Sequence, residues 1–205
     1  MLDLDAIRAG KVADEPFSYF MVPCVLDRAA LTAIEHDFPA IASPGIFPLE
    51  ALEYGAAFSD LVNDIRGADL EAIMEEKFDV ELADKPLMVT VRGHCQRKDG
   101  RIHTDSTDKI VTCLLYLNSD WQQDGGRLRL LRNGRDIEDY IAEVPPNGGT
   151  MVAFKRSDAS WHGHLPFEGP RRYVMFNWVR SGAALSRNVT RHRISAKLKQ
   201  LGILR

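Results

Sequence analysis

From Lys85 to Val179 the sequence is a series of short segments rich in β-branched and apolar residues, separated by Gly, Pro and Asn. Asn133-Gly134 is a strong signal for a tight turn between two strands. Many short strands with turns between them are typical of a β-sandwich or a jelly roll. The predicted strands are Met88–Val91, Arg101–Asp105, Ile110–Asn118, Gly126–Leu131, Ile141–Val144, Gly149–Lys155, Trp161–Phe167 and Arg172–Val179.

Before this region the spacing of apolar residues predicts helices. Asp27 is suited to cap a helix that runs to about Phe38, a second helix covers roughly residues 57–65, and Asp69 can cap a third. The apolar stripes of these helices favour packing on a sheet over a cofactor pocket. We therefore expect one domain over residues 1–205, with N-terminal support in 1–84, a β-rich region in 85–180 and a basic helix or tail in 181–205.

The composition excludes several classes of protein. A 205-residue chain with 45% hydrophobic and 27% charged residues suits a single soluble domain. No segment has the ~20 apolar residues of a membrane span, and a net charge of −3 gives no general attraction to nucleic acid. The widely spaced Cys24, Cys95 and Cys113 form neither a disulfide framework nor a zinc motif. We expect reduced thiols, a cytoplasmic location, and no membrane or nucleic-acid partner.

His103-Thr104-Asp105 is the main candidate for a metal site. In a strand, residues i and i+2 point to the same face, so His103 and Asp105 can be directed at one point. A later histidine, His162 or His164, would complete the two-His, one-carboxylate arrangement of non-haem Fe(II) oxygenases. Both histidines lie on the same face of their predicted strand, so alternation does not decide between them.

The compound pattern is more specific than His-x-Asp alone. After His103 and Asp105 come an apolar strand ending in Tyr116-Leu117-Asn118, then Trp121, Gly125-Gly126, His162, Arg172 and Trp178. In this order the residues resemble the prolyl-hydroxylase-like branch of the Fe(II)/2-oxoglutarate dioxygenases over roughly residues 85–180. The resemblance implies a double-stranded β-helix (a cupin-like jelly roll) with the N-terminal helices packed on one sheet. It also implies Fe(II) and O2 as cofactors and 2-oxoglutarate as co-substrate, with ascorbate as a further candidate.

The resemblance also implies roles for individual residues. In the family the distal histidine precedes the arginine that binds the co-substrate by about ten positions, and this favours His162 with Arg172 as metal ligand and carboxylate clamp. Tyr116 would reach the same carboxylate, and Leu128 would form an apolar wall of the pocket. The hydroxyl-bearing residue that the oxygen-sensing relatives have on the arginine's strand is Phe176 in this chain, so Arg172 is expected to depend more on Tyr116. Arg92 stands where those relatives have a second tyrosine.

These observations predict a 2-oxoglutarate-dependent dioxygenase that hydroxylates a C–H bond. The substrate is a prolyl or other protein side chain, or a small molecule such as an amino acid or sugar. The rival interpretation is a non-catalytic, cupin-like module that binds a metal or ligand. We further expect the Cys95–Gly100 and Asn133–Tyr140 loops to border the substrate entrance, because loops carry specificity on a rigid scaffold. The sequence leaves the oligomeric state open.

Overall fold

A computed structural model describes residues 1–187 and 190, and its main feature is a pair of antiparallel sheets. The strands are β1 Tyr19–Val22, β2 Phe47–Pro48, β3 Leu87–Cys95, β4 Lys109–Tyr116, β5 Leu128–Leu131, β6 Tyr140–Val144, β7 Met151–Lys155, β8 His162–Gly163 and β9 Gly169–Val179. The larger sheet has the order β1-β7-β4-β9-β3-β2, and the smaller sheet has the order β6-β5-β8.

Helices cover the outer face of the larger sheet. They are α1 Leu4–Ala9, α2 Arg28–His36, α3 Ala56–Ile65 and α4 Ala68–Phe78, with a 3-10 turn at Leu49–Ala51. Their buried apolar residues, such as Ile34, Phe58 and Met74, pack against Leu115 and Trp178 of the sheet. Burying apolar surface in this way is the main favourable contribution to folding, so these helices stabilise the sheet that carries the site.

A second core lies between the two sheets. Leu114, Phe154 and Tyr173 of the larger sheet pack there with Leu128 and Val144 of the smaller one. Side chains alternate between the two faces of a strand, so each central strand of the larger sheet contributes to both cores. The sequence predicts a jelly roll, and two facing antiparallel sheets are the architecture of that fold.

Several local predictions need correction. Residues Arg101–Asp105 form no strand, and only His103 pairs with a neighbour, through an isolated antiparallel bridge to His162. Residue Asp69 lies inside the first turn of α4, because the N-cap is Gly67.

Of the predicted basic helix or tail at 181–205, the structure describes only residues 181–187 and 190. Among the residues that the structure does describe, no helix is both long enough and apolar enough to cross a membrane.

Candidate active site

A cavity of about 390 Å³ lies between the two sheets and contains most of the predicted site. Its walls come from the facing sides of the strands and from the segment that precedes β4. The strand residues that line it are Arg92, Lys109, Thr112, Leu114, Leu128, His162, Gly163, Arg171, Tyr173 and Met175. The remaining lining residues include Gly100, His103, Asp105 and His164.

The structure brings His103, Asp105 and His162 together, with one possible ligand atom from each lying within 4.8 Å of the others. Backbone pairing sets this distance: the His103 N–H donates to the His162 carbonyl at 3.0 Å, and the His162 N–H donates to the His103 carbonyl at 2.9 Å. The two imidazole centroids are 4.3 Å apart. The bridge between the two histidines therefore replaces the predicted strand as the feature that positions these two candidate metal ligands.

Both imidazoles are oriented by backbone carbonyls. Nδ1 of His103 lies 2.8 Å from the Arg101 carbonyl oxygen, and Nδ1 of His162 lies 2.9 Å from that of Ser160. A carbonyl can only accept, so each Nδ1 carries a proton, and in the neutral ring the lone pair that can bind a metal is then on Nε2. Burial lowers the pKa of His162 to about 4, although Asp105 acts to raise it, so the ring is neutral at physiological pH.

Asp105 is held through both of its oxygens. Lys109 Nζ donates to Oδ1 at 2.8 Å, and the Thr112 hydroxyl donates to Oδ2 at 2.6 Å. Burial acts to raise the pKa of Asp105, but the Lys109 ammonium outweighs it and holds the pKa below its usual range. The carboxylate is therefore ionised, which is the form that binds a metal.

This donor set fits Fe(II). Two imidazoles and one ionised carboxylate, converging beside a cavity, match the arrangement that leaves further coordination positions open. In metal-binding histidines the ring nitrogen that does not bind the metal usually donates to a carbonyl or carboxylate, as Nδ1 does in both histidines here.

The prediction of Arg172 as the carboxylate clamp is wrong about the facing of β9. The guanidinium of Arg172 lies 5.3 Å from the ring centre of Phe38, on the helical side of the larger sheet. The neighbouring Arg171 faces the cavity and is only 2% exposed. Adjacent residues of a strand point to opposite faces, so Arg171 and Arg172 cannot both face the cavity. Arg171 is the buried cation in the cavity, and Arg172 contacts Phe38 on the other side of the sheet.

Arg171 is fixed by contacts that leave donors available. Its Nε donates to the Gly126 carbonyl at 2.7 Å, and its Nη2 donates to the Tyr116 hydroxyl at 3.0 Å. These are the only acceptors of its side chain among the described residues, so three of its five N–H donors have no protein acceptor there. A buried guanidinium with free donors beside a cavity is suited to a carboxylate.

The other predicted residues lie around this centre. Tyr116 is fully buried next to Arg171, and Leu128 lines the cavity as an apolar wall. Arg92 also lines the cavity and forms an ion pair with Asp99. His164 faces the cavity too; burial, followed by Arg171, lowers its pKa to about 4.

Sequence reasoning missed Lys109. A bulge between Lys109 and Val111 shifts the register of β4 against β9. Without the bulge, strict alternation would place Lys109 on the face opposite Thr112; with it, both residues line the cavity. No signal in the sequence marks this bulge.

Residues 90–180 match the family model of the 2OG-Fe(II) oxygenase superfamily. A prolyl 4-hydroxylase from Pseudomonas putida is similar in structure, with 20% identity, a TM-score of 0.57, and coverage of 87% of this chain and 97% of that one. The viral collagen prolyl hydroxylase of Paramecium Bursaria Chlorella virus-1, in a 2-oxoglutarate complex, has 14% identity, a TM-score of 0.56, and coverage of 80% and 95%.

HygX from Streptomyces hygroscopicus, with nickel and 2-oxoglutarate bound, has 15% identity, a TM-score of 0.53, and coverage of 80% of this chain and 83% of its own. A comparison with curated proteins gave no match. At these identities the structural likeness establishes the fold, and the predicted jelly-roll class is confirmed.

Proposed function

We propose that the cavity holds Fe(II) through His103, Asp105 and His162 and holds 2-oxoglutarate through Arg171, in line with the match of residues 90–180 to the 2OG-Fe(II) oxygenase model. The chain is a 2-oxoglutarate-dependent dioxygenase of the hydroxylase type. The observation that carries the residue assignment is the convergence of three ligand atoms within 4.8 Å, in the same cavity as a buried arginine.

When bound, Fe(II) and 2-oxoglutarate supply the activation of O2 that hydroxylates a C–H bond. The protein supplies binding, orientation and electrostatics. His103 and His162 present Nε2 while their Nδ1 protons stay on backbone carbonyls, and Asp105 presents a carboxylate already held by Lys109 and Thr112.

Arg171 pairs with the carboxylate of 2-oxoglutarate that is remote from the metal. The Tyr116 hydroxyl accepts one Arg171 N–H and so holds the guanidinium in place beside the cavity. Burial raises the pKa of Tyr116 to about 12, although Arg171 acts to lower it, and the phenol therefore keeps its proton at physiological pH. Leu128 and Met175 form apolar walls that exclude water from this end of the cavity.

For the substrate we propose a prolyl or other side chain of a protein. Support comes from the similarity to a prolyl 4-hydroxylase and to a collagen prolyl hydroxylase. We also propose a cytoplasmic location, since Cys24, Cys95 and Cys113 are all free thiols, as expected in a reducing compartment.

The direct test is formation of succinate by purified protein supplied with Fe(II), 2-oxoglutarate, air and proline-containing peptides, with mass spectrometry of the peptides. We expect succinate, together with a mass gain of one oxygen atom on a peptide. Asp105→Ala should abolish both products. Metal and 2-oxoglutarate binding without any succinate would instead favour the non-catalytic binding module.

A further inference from the structure

A second groove, also of about 390 Å³, adjoins the catalytic cavity. Gly100 and His164 line both spaces, so they form the wall that separates them. The segment from Arg97 to Ile102 forms one side of the groove, and Ile137 and Leu165 lie on the other. A chain lying in this groove would therefore pass directly beside the metal centre.

The wall between groove and cavity is tightly built. A Cβ on Gly100 would lie 2.4 Å from the His164 ring, and Gly100 has a φ of +83° that favours glycine. The His164 N–H donates to the Gly100 carbonyl at 2.9 Å. These contacts fix the 97–102 segment against the strand that carries His162, so the groove has a set position relative to the site.

The charges that line the groove are mainly positive. Arg97, Lys98 and Arg101 lie along it, and Asp99 is the one acidic residue of the lining. Asp99 forms an ion pair with Arg92, which lines the catalytic cavity. Arg97 and Arg101 are exposed, and neither forms an ion pair within the described part of the chain. Since the whole protein has a net charge of −3, this positive groove is a local feature.

The groove also has apolar surface. Ile102, Ile137, Leu165 and Pro166 contribute to its lining between the cationic residues. Apolar contacts suit the side chains of a peptide better than a sugar-phosphate backbone, which is recognised mainly through charge and hydrogen bonds. The mixture of apolar and cationic lining thus favours a peptide that carries acidic side chains over a nucleic acid.

We infer that this groove binds an acidic segment of a protein substrate, next to the residue that is hydroxylated. Arg97 and Arg101 pair with the acidic side chains, and the apolar lining contacts the residues between them. This inference rests on the proposed function for the identity of the neighbouring centre, and it narrows the substrate to proteins with acidic residues beside the target.

The test measures fluorescence anisotropy of two labelled peptides of equal length, each with a central proline, flanked by Asp in one and by Asn in the other. Protein loaded with Mn(II) and 2-oxoglutarate should bind the Asp peptide about fivefold more tightly, since two exposed ion pairs contribute modestly each. The preference should shrink in about 1 M salt, where the Debye length is short. Arg97→Ala/Arg101→Ala should remove the preference.

The matched control is Arg8→Ala/Arg28→Ala, which removes the same charge from exposed positions on α1 and α2 and should retain the preference. Equal affinity for the two peptides, or an unchanged preference in the Arg97/Arg101 variant, would overturn the inference. Tighter binding of a single-stranded oligonucleotide than of the Asp peptide would also overturn it. Binding of 2-oxoglutarate to the same preparations is measured separately, so failure of the groove is distinguished from failure of the proposed function.

Discussion

Arg171 Nη2 donates to the Tyr116 hydroxyl at 3.0 Å, and this bond joins β9 to β4 beside the catalytic cavity. The guanidinium carbon also lies 5.2 Å from the centre of the Tyr116 ring and 5.1 Å from that of Tyr173. Contacts with two aromatic rings limit the rotamers of a long side chain and lower the entropy cost of holding it in place. Arg171 is therefore positioned before any co-substrate binds.

The first prediction compares the two adjacent arginines of β9. Arg171→Ala should weaken 2-oxoglutarate binding about tenfold to a hundredfold, because a charge-assisted hydrogen bond contributes roughly 1.5–3 kcal/mol. Arg172→Ala removes a side chain that lies over Phe38 and should change the affinity little. The measurement is an anaerobic titration of each variant with 2-oxoglutarate in the presence of Fe(II).

Arg171→Lys serves as the conservative control. It keeps the charge but loses the planar fork, so it should restore only part of the affinity. A large loss of 2-oxoglutarate affinity in Arg172→Ala with none in Arg171→Ala would contradict the role of Arg171 and favour Arg172 as the residue that binds the carboxylate.

The second prediction concerns the Tyr116 hydroxyl. Tyr116→Phe keeps the ring and removes the group that accepts from Arg171. A hydrogen bond to a charged group contributes about 1.5 kcal/mol or more, so the affinity for 2-oxoglutarate should fall about tenfold. Metal affinity should be unchanged, as Tyr116 contacts none of the proposed ligands. A titration that gives the wild-type 2-oxoglutarate affinity would contradict a role for this hydroxyl.

The third prediction follows from the ion pair between Lys109 and Asp105. Lys109→Met leaves the buried carboxylate without its cation, which should lower the free energy of unfolding of the metal-free protein by about 3 kcal/mol. A divalent metal at the site replaces the missing positive charge. Mn(II) should therefore raise the melting temperature of this variant by more than it raises that of the wild type.

Lys155→Met is the matched control for this comparison. Lys155 donates to the Phe78 carbonyl and does not line the catalytic cavity, so its loss can lower stability without changing the increment from Mn(II). If Mn(II) raised the melting temperature equally in wild type and in Lys109→Met, the Lys109 charge would have no effect on metal binding at this site.

Local features were predictable from the sequence. Asp27 caps α2 as expected, with its carboxylate accepting from the Ala30 N–H at 2.7 Å, because capping depends on residues close together in the chain. The separation of helices from strands was also predictable, since it follows from the periodicity of apolar residues.

The facing of β9 and the role of Lys109 were harder to predict. Position relative to a distant histidine selected Arg172, but Arg172 lies over Phe38 and the adjacent Arg171 faces the cavity, because a displacement of one residue reverses the face of a strand. Lys109 reaches Asp105 only through a bulge in β4. A backbone bridge between His103 and His162 brings the candidate ligands together. The bridge joins two segments that are far apart in the chain, so the sequence of neither segment indicates it.

The central claim is that His103, Asp105 and His162 form an Fe(II) centre that also takes 2-oxoglutarate. The most direct measurement is the visible charge-transfer absorption of Fe(II) chelated by 2-oxoglutarate, recorded anaerobically for wild type, His162→Ala and His164→Ala. Wild type and His164→Ala should show the band with one Fe(II) per chain, and His162→Ala should show none. A band that survives in His162→Ala, or is lost only in His164→Ala, would contradict the account.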